Sequence, residues 1–109
     1  MFGDTKIKEK LGIDKFMKLI NKYSPEQIEC TSHTFFRLSQ KQREIFTCEK
    51  LRKILLKMKP FLVGIQYNKN YAIFYKYQDK ILRMMLGINY RKVNIVTFYF
   101  IKEWQIPKI

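Results

Sequence analysis

LVGIQYNKNYAIFYKYQDKILRMMLGINYRKVNIVTFYFI, residues 62–101, is the stretch that decides how this 109-residue chain folds. Four runs rich in Ile, Val, Tyr and Phe stand in it: Leu62–Tyr67, Tyr71–Tyr77, Ile81–Ile88 and Val93–Ile101. Three short polar segments separate them, Asn68-Lys69-Asn70, Gln78-Asp79-Lys80 and Asn89-Tyr90-Arg91-Lys92. β-branched and aromatic residues between turn residues read as strands. Connections this short join antiparallel neighbours. The last run is apolar nearly throughout, as a strand covered on both faces would be. Strict alternation places Val93, Ile95, Thr97, Tyr99 and Ile101 on one face and Asn94, Val96, Phe98 and Phe100 on the other. The second set is expected to pack under helices, leaving Thr97 and Tyr99 on the more open face.

Upstream of this stretch the pattern is helical. Asp4 or Thr5 can cap a short helix through Ile7 and Leu11, which Gly12 ends. Asp14 then caps a second helix carrying Phe16, Leu19, Ile20 and Tyr23. The amphipathic stretch Lys6–Tyr23 reads as core packing or as a partner helix. Ser24-Pro25-Glu26-Gln27 is a helix start or a tight turn. Residues 28–31 read as a short extended segment. Ser32 caps a helix running to about Lys41 through Phe35, Phe36 and Leu38. Thr47 caps the next, with Glu49 near its positive end, Leu51, Ile54, Leu55 and Met58 as its apolar stripe, and Pro60 as its stop. The expected fold is α+β, a single domain over 1–109 with N-terminal helices packed on a four-stranded antiparallel β meander.

Charge narrows the function. Lys and Arg number 22 against 9 Asp and Glu, a formal net charge of +13. Residues 1–32 hold six Lys and five acids, whereas residues 33–109 hold sixteen basic residues and four acids. A field of that sign attracts nucleic acid, an acidic protein or an anionic membrane, although a plain solvated surface reads the same way. Cys30 and Cys48 have no metal-ligand spacing and are expected to stay reduced. With one histidine, His33, no zinc set forms, so no metal or cofactor is expected. No apolar run reaches the roughly 18 residues of a membrane span. Met1–Lys22, charged throughout, does not look like a secretory signal. The expected location is the cytoplasm.

His33 lies in Thr31-Ser32-His33-Thr34-Phe35-Phe36-Arg37, and a helix there would put His33 and Arg37 on one face. An imidazole, which exchanges protons near neutral pH, beside a fixed cation suits cleavage of a phosphodiester. RNA supplies its own nucleophile, the 2′-OH. A protein must then take that proton, protonate the leaving 5′-oxygen and stabilise the phosphorane. The helix face of Lys50, Arg52, Lys53, Lys57 and Lys59 is a candidate phosphate platform, to which Arg83 in the third strand and Arg91 in the last turn add. Tyr67, Tyr71, Tyr75, Tyr77 and Tyr90 are candidate base-stacking groups, or simply sheet residues.

The order of a T-x-H-x-x-x-R start (Thr31, His33, Arg37), a second arginine at Arg43, a helix, a meander and a late Val96-Thr97-Phe98-Tyr99 strand resembles RelE-type ribonuclease domains. These belong to the barnase-, EndoU-, colicin- and RelE-like superfamily. The resemblance spans Ile28 to Pro107 and leaves 1–27 as a helical extension. It implies a metal-independent, toxin-like endoribonuclease acting on RNA, held by an acidic antitoxin or immunity protein. Its catalytic set would be His33, Arg37, Arg43, Thr97 and Tyr99. The single histidine departs from ribonucleases with two, so Tyr99, another Tyr or a Lys must supply the second proton transfer. The alternatives are a non-catalytic basic module that binds nucleic acid or a protein, or a surface that mediates assembly.

Overall fold

The computed structural model describes residues 6–108. It holds one six-stranded mixed sheet in the order β1-β3-β4-β5-β6-β2. The strands are β1 (Ile7–Lys10), β2 (Ile28–Cys30), β3 (Leu62–Gln66), β4 (Tyr71–Tyr77), β5 (Lys80–Ile88) and β6 (Val93–Ile101). The helices are α1 (Ile13–Ile20), α2 (Gln40–Ile45) and α3 (Cys48–Lys57). This corrects the four-stranded antiparallel meander with N-terminal helices. β3 to β6 do form antiparallel hairpins, but each edge gains a further strand: β1 from a part of the chain read as helical, and β2 from the short extended segment expected at 28–31.

β1 pairs antiparallel with β3 where a helix through Ile7 and Leu11 was expected. Gly12 leaves a segment too short to repay helix nucleation, while the edge of β3 offers unpaired backbone groups. Lys8, Glu9 and Lys10 keep the new edge charged and exposed. The expected caps Asp4 and Thr5 lie outside the described residues. β2 runs parallel to β6, with Ile28 opposite Val93 and Cys30 opposite Ile95.

The core fills one sheet face. Phe16 and Ile20 of α1 and Leu51, Ile54 and Leu55 of α3 are buried with Val63, Ile73, Tyr75, Leu82, Met84 and Phe98. Residues 7–27 therefore build sheet and core, and are no helical appendage. On the other face a smaller cluster joins Leu62, Ala72, Phe74 and Ile101 to Phe61, Tyr99 and Ile106. β6 does not keep strict alternation. A bulge opposite Met85/Leu86 lets Val93 and Ile95 join Phe98 on the helix face, leaving Tyr99 and Ile101 on the other.

The helix expected from Ser32 to Lys41 is absent. Residues 32–37 form consecutive turns, closed by three-residue bonds from Thr34 N to Thr31 O, Phe36 N to His33 O and Leu38 N to Phe35 O. Hydroxyl groups take the backbone away from the helix. Thr34 is fully buried, accepts from the Thr31 amide at 2.7 Å and donates to the Ile95 carbonyl at 2.6 Å. Ser39, rather than Ser32, caps a helix here, accepting from Gln42 N. Thr47 caps α3 through Lys50 N.

Cys30 and Cys48 are joined in a disulfide, against the expectation of free thiols. A spacing of 18 residues carries no message about proximity. The fold sets the end of β2 beside the start of α3, with 6.0 Å between the two Cα atoms. The bond closes the loop that carries His33, Arg37 and Arg43.

Candidate functional site

The 31–38 turns are held against β6 by Thr34, and from outside by Arg43, whose Nε donates to the Phe35 carbonyl at 3.0 Å. So anchored, the loop lays the exposed Arg37 over β6. The Arg37 guanidinium carbon stands 4.0 Å from the centre of the Tyr99 ring. A guanidinium this close to an aromatic face makes a cation–π contact. Tyr99 lies opposite Arg83 in the β5–β6 ladder. Arg83 is only 7% exposed, and its guanidinium carbon stands 5.3 Å from the Phe74 ring. Burial holds the Arg83 guanidinium below its ordinary pKa; nearby Tyr99 works against this, and the charge of Arg37 adds to it. Two guanidiniums thus converge on one phenol.

The expected catalytic set does not assemble as a unit. Arg37 and Tyr99 meet. Thr97, two residues back on β6, turns its hydroxyl to the Met85 sulfur at 3.0 Å. His33 is exposed, with its ring edge-on to Phe36 at 6.4 Å and its amide donating to Thr31 Oγ1. Among the described residues the imidazole makes no hydrogen bond, and the i, i+4 helical pairing with Arg37 does not form. Arg43 acts as a brace for the loop.

The expected RNA platform is also divided. Arg52 Nε donates to the Ile28 carbonyl at 2.7 Å and so pins β2. Lys50 lies over Tyr77, Lys53 sits 3.8 Å from Glu49, and Arg91 bonds and stacks on Tyr90. Lys57, in the last turn of α3, is exposed. Arg83, expected as an RNA contact, is mostly buried and stands opposite Tyr99. Tyr75 is fully buried and stacks on nothing from outside, whereas Tyr67 and Tyr90 are exposed. Among the described residues no group of three or more His, Cys, Asp or Glu is placed to hold a metal ion. No helix there is long and apolar enough to cross a membrane.

The fold and site define a small basic domain in which a disulfide-closed loop lays an arginine over a tyrosine of the sheet. The sequence model of the MJ0788 family matches residues 14–86, and the chain belongs to that family. The match runs from α1 into β5. It crosses the boundary expected at residue 28, takes in the whole 31–47 loop and Arg83, and stops before Tyr99. No curated protein and no solved structure matches the chain. Membership assigns no chemistry by itself, so function is read from the site.

Proposed function

We propose that this chain binds single-stranded RNA, with Arg37 and Tyr99 at the centre of the contact. The observation that carries the reading is the exposed Arg37 guanidinium 4.0 Å above Tyr99, with Arg83 opposite Tyr99 on the neighbouring strand. An unpaired base stacks on aromatic rings and on guanidinium planes. The outer plane of Arg37 offers such a platform, while its in-plane donors suit the adjoining phosphate. The sixteen basic residues after residue 32 supply the long-range attraction.

Fluorescence anisotropy of a labelled oligouridylate at several salt concentrations tests this. Affinity should fall steeply with salt, and Arg37→Gln should weaken it about tenfold, within the range of one lost stacking contact. Arg37→Gln should also lower the salt slope by about one. Wild-type affinity and slope in that variant would sink the reading.

A second reading, metal-independent RNA cleavage, rests on the exposed His33 in the same run of turns as Arg37. It is the activity that the RelE-type resemblance implies, and it would bring an acidic inhibitory partner with it. Cleavage products formed in excess chelator by wild type, and lost in His33→Ala, would establish it. Binding without products leaves the chain a non-catalytic RNA module.

A further inference from the structure

A cleft of about 460 Å³ lies between the turns and the start of α3. Phe35, Phe36, Phe46, Arg43, Ser32 and Thr47 line it. We infer that this cleft is a nucleobase subsite for a strand also held at Arg37; the inference rests on the RNA-binding reading.

The composition suits a nucleobase. Three phenyl rings give apolar faces, Arg43 gives an in-plane donor fork, and two hydroxyls can meet ring nitrogens or carbonyl oxygens. Thr47 Oγ1 already accepts from Lys50 N, which leaves its proton to donate outward. The Ser32 hydroxyl makes no hydrogen bond within the described residues. Phe36 is 73% exposed, a ring of that size held in water at the rim, with the His33 ring against its edge. The floor is rigid, because Phe46 is wedged against Tyr77, Phe98 and Phe100.

Three other clefts place carboxylates beside their lysines: Asp79 and Glu103 in one, Glu9 and Asp14 in another, and Asp14 in a third. No carboxylate lines this one. A second cleft without a carboxylate, around Ile45 and Phe100, holds only about 180 Å³, below the roughly 300 Å³ at which ligand pockets begin.

The walls are also set before any ligand arrives. Arg43 bonds to the Phe35 carbonyl, and Cys48, which also lines the cleft, is tied to Cys30. Preorganisation of this kind removes ordering cost from binding.

The test uses the full chain, ¹⁵N-labelled, with an oligouridylate hexamer carrying one 2-aminopurine. The amides of Ser32, Phe36, Thr47 and Cys48 should shift on binding, and the 2-aminopurine fluorescence should be quenched. Phe36→Ala, at a surface ring, should fold as wild type, lose the quench and weaken binding about tenfold. Arg37→Gln should weaken binding yet keep the quench at saturation. RNA bound through Arg37 with silent cleft amides and an unchanged quench in Phe36→Ala overturns the subsite and leaves the binding reading standing. Should the hexamer fail to bind while adenosine monophosphate shifts the cleft amides, the binding reading falls and the cleft stands as a nucleotide site. Silence in both arms overturns both.

Discussion

Replacing Cys30 and Cys48 by serine removes the one covalent link between β2 and α3 and frees the loop that holds every proposed RNA contact before residue 48. The loop spans 18 residues. Cross-linking over that length withholds about 3 kcal/mol of chain entropy from the unfolded ensemble. For a domain near 100 residues each kcal/mol moves Tm by about 4–8 °C, so a loss of about 3 kcal/mol should lower the melting point of the double variant by about 12–24 °C. Urea unfolding with and without dithiothreitol measures the same loss in the wild type, and reductant should leave the serine variant unchanged. The reduced protein should also bind RNA less tightly, because a loop freed between residues 30 and 48 must be ordered again on binding. Stability of the variant within about 0.5 kcal/mol of the oxidised wild type refutes the reasoning, since surface changes of no consequence fall within that margin. Two titratable thiols in the native protein would refute it as well.

Three further outcomes follow from burial and bonding. Tyr75 is fully buried with a hydroxyl that has no hydrogen-bond partner among the described residues, so Tyr75→Phe should raise stability by about 1 kcal/mol at neutral pH. Burial pushes the Tyr75 pKa above the ordinary 10.0, so the folded state keeps a proton that the unfolded state sheds. The Tyr75 contribution to stability is then constant below pH 10 and falls above it, and the alkaline loss of stability should be shallower in Tyr75→Phe than in wild type. Ile20→Ala, in a segment read from sequence as an extension, should cost about 2–5 kcal/mol by urea unfolding, and no loss would show that α1 is dispensable. Arg52→Ala should cost about 1 kcal/mol of stability through its bond to Ile28, with a smaller effect on RNA affinity than Arg37→Gln. The reverse order in the anisotropy assay would restore Arg52 to the RNA platform.

The site was only partly legible. Arg37 and Tyr99 can be named from the sequence as members of one set, but the reason offered, a helix pairing His33 with Arg37, does not survive. Thr31, Ser32 and Thr34 place hydroxyls where they compete for backbone groups, and the bond from Thr34 to Ile95 joins residues 61 apart. Hydroxyl-rich local sequence could have warned against the helix; the distant carbonyl that decides it could not be foreseen. Arg83 shows the same limit in the sheet. Counted back from Ile88 opposite Val93, it should face Phe98, on the helix side of β6. The bulge between Met85 and Leu86 advances the register by one residue and brings Tyr99 opposite Arg83 instead. Without that single residue the cation and the phenol would not meet.

What the sequence determined by itself is what local forces set. The four strands between residues 62 and 101 follow from β-branched and aromatic runs and their turns, the start of α3 from the Thr47 hydroxyl, and the attraction for anions from the surplus of Lys and Arg. The tertiary structure alone decided the rest: β1 as an edge strand, β2 parallel to β6, the disulfide across the loop, and the Arg37–Tyr99–Arg83 cluster. Each of those depends on groups far apart in the chain, whose pairing is worth more than the local preference it overrides. Periodicity reports which face a residue prefers, but only the assembled sheet reports what waits on that face.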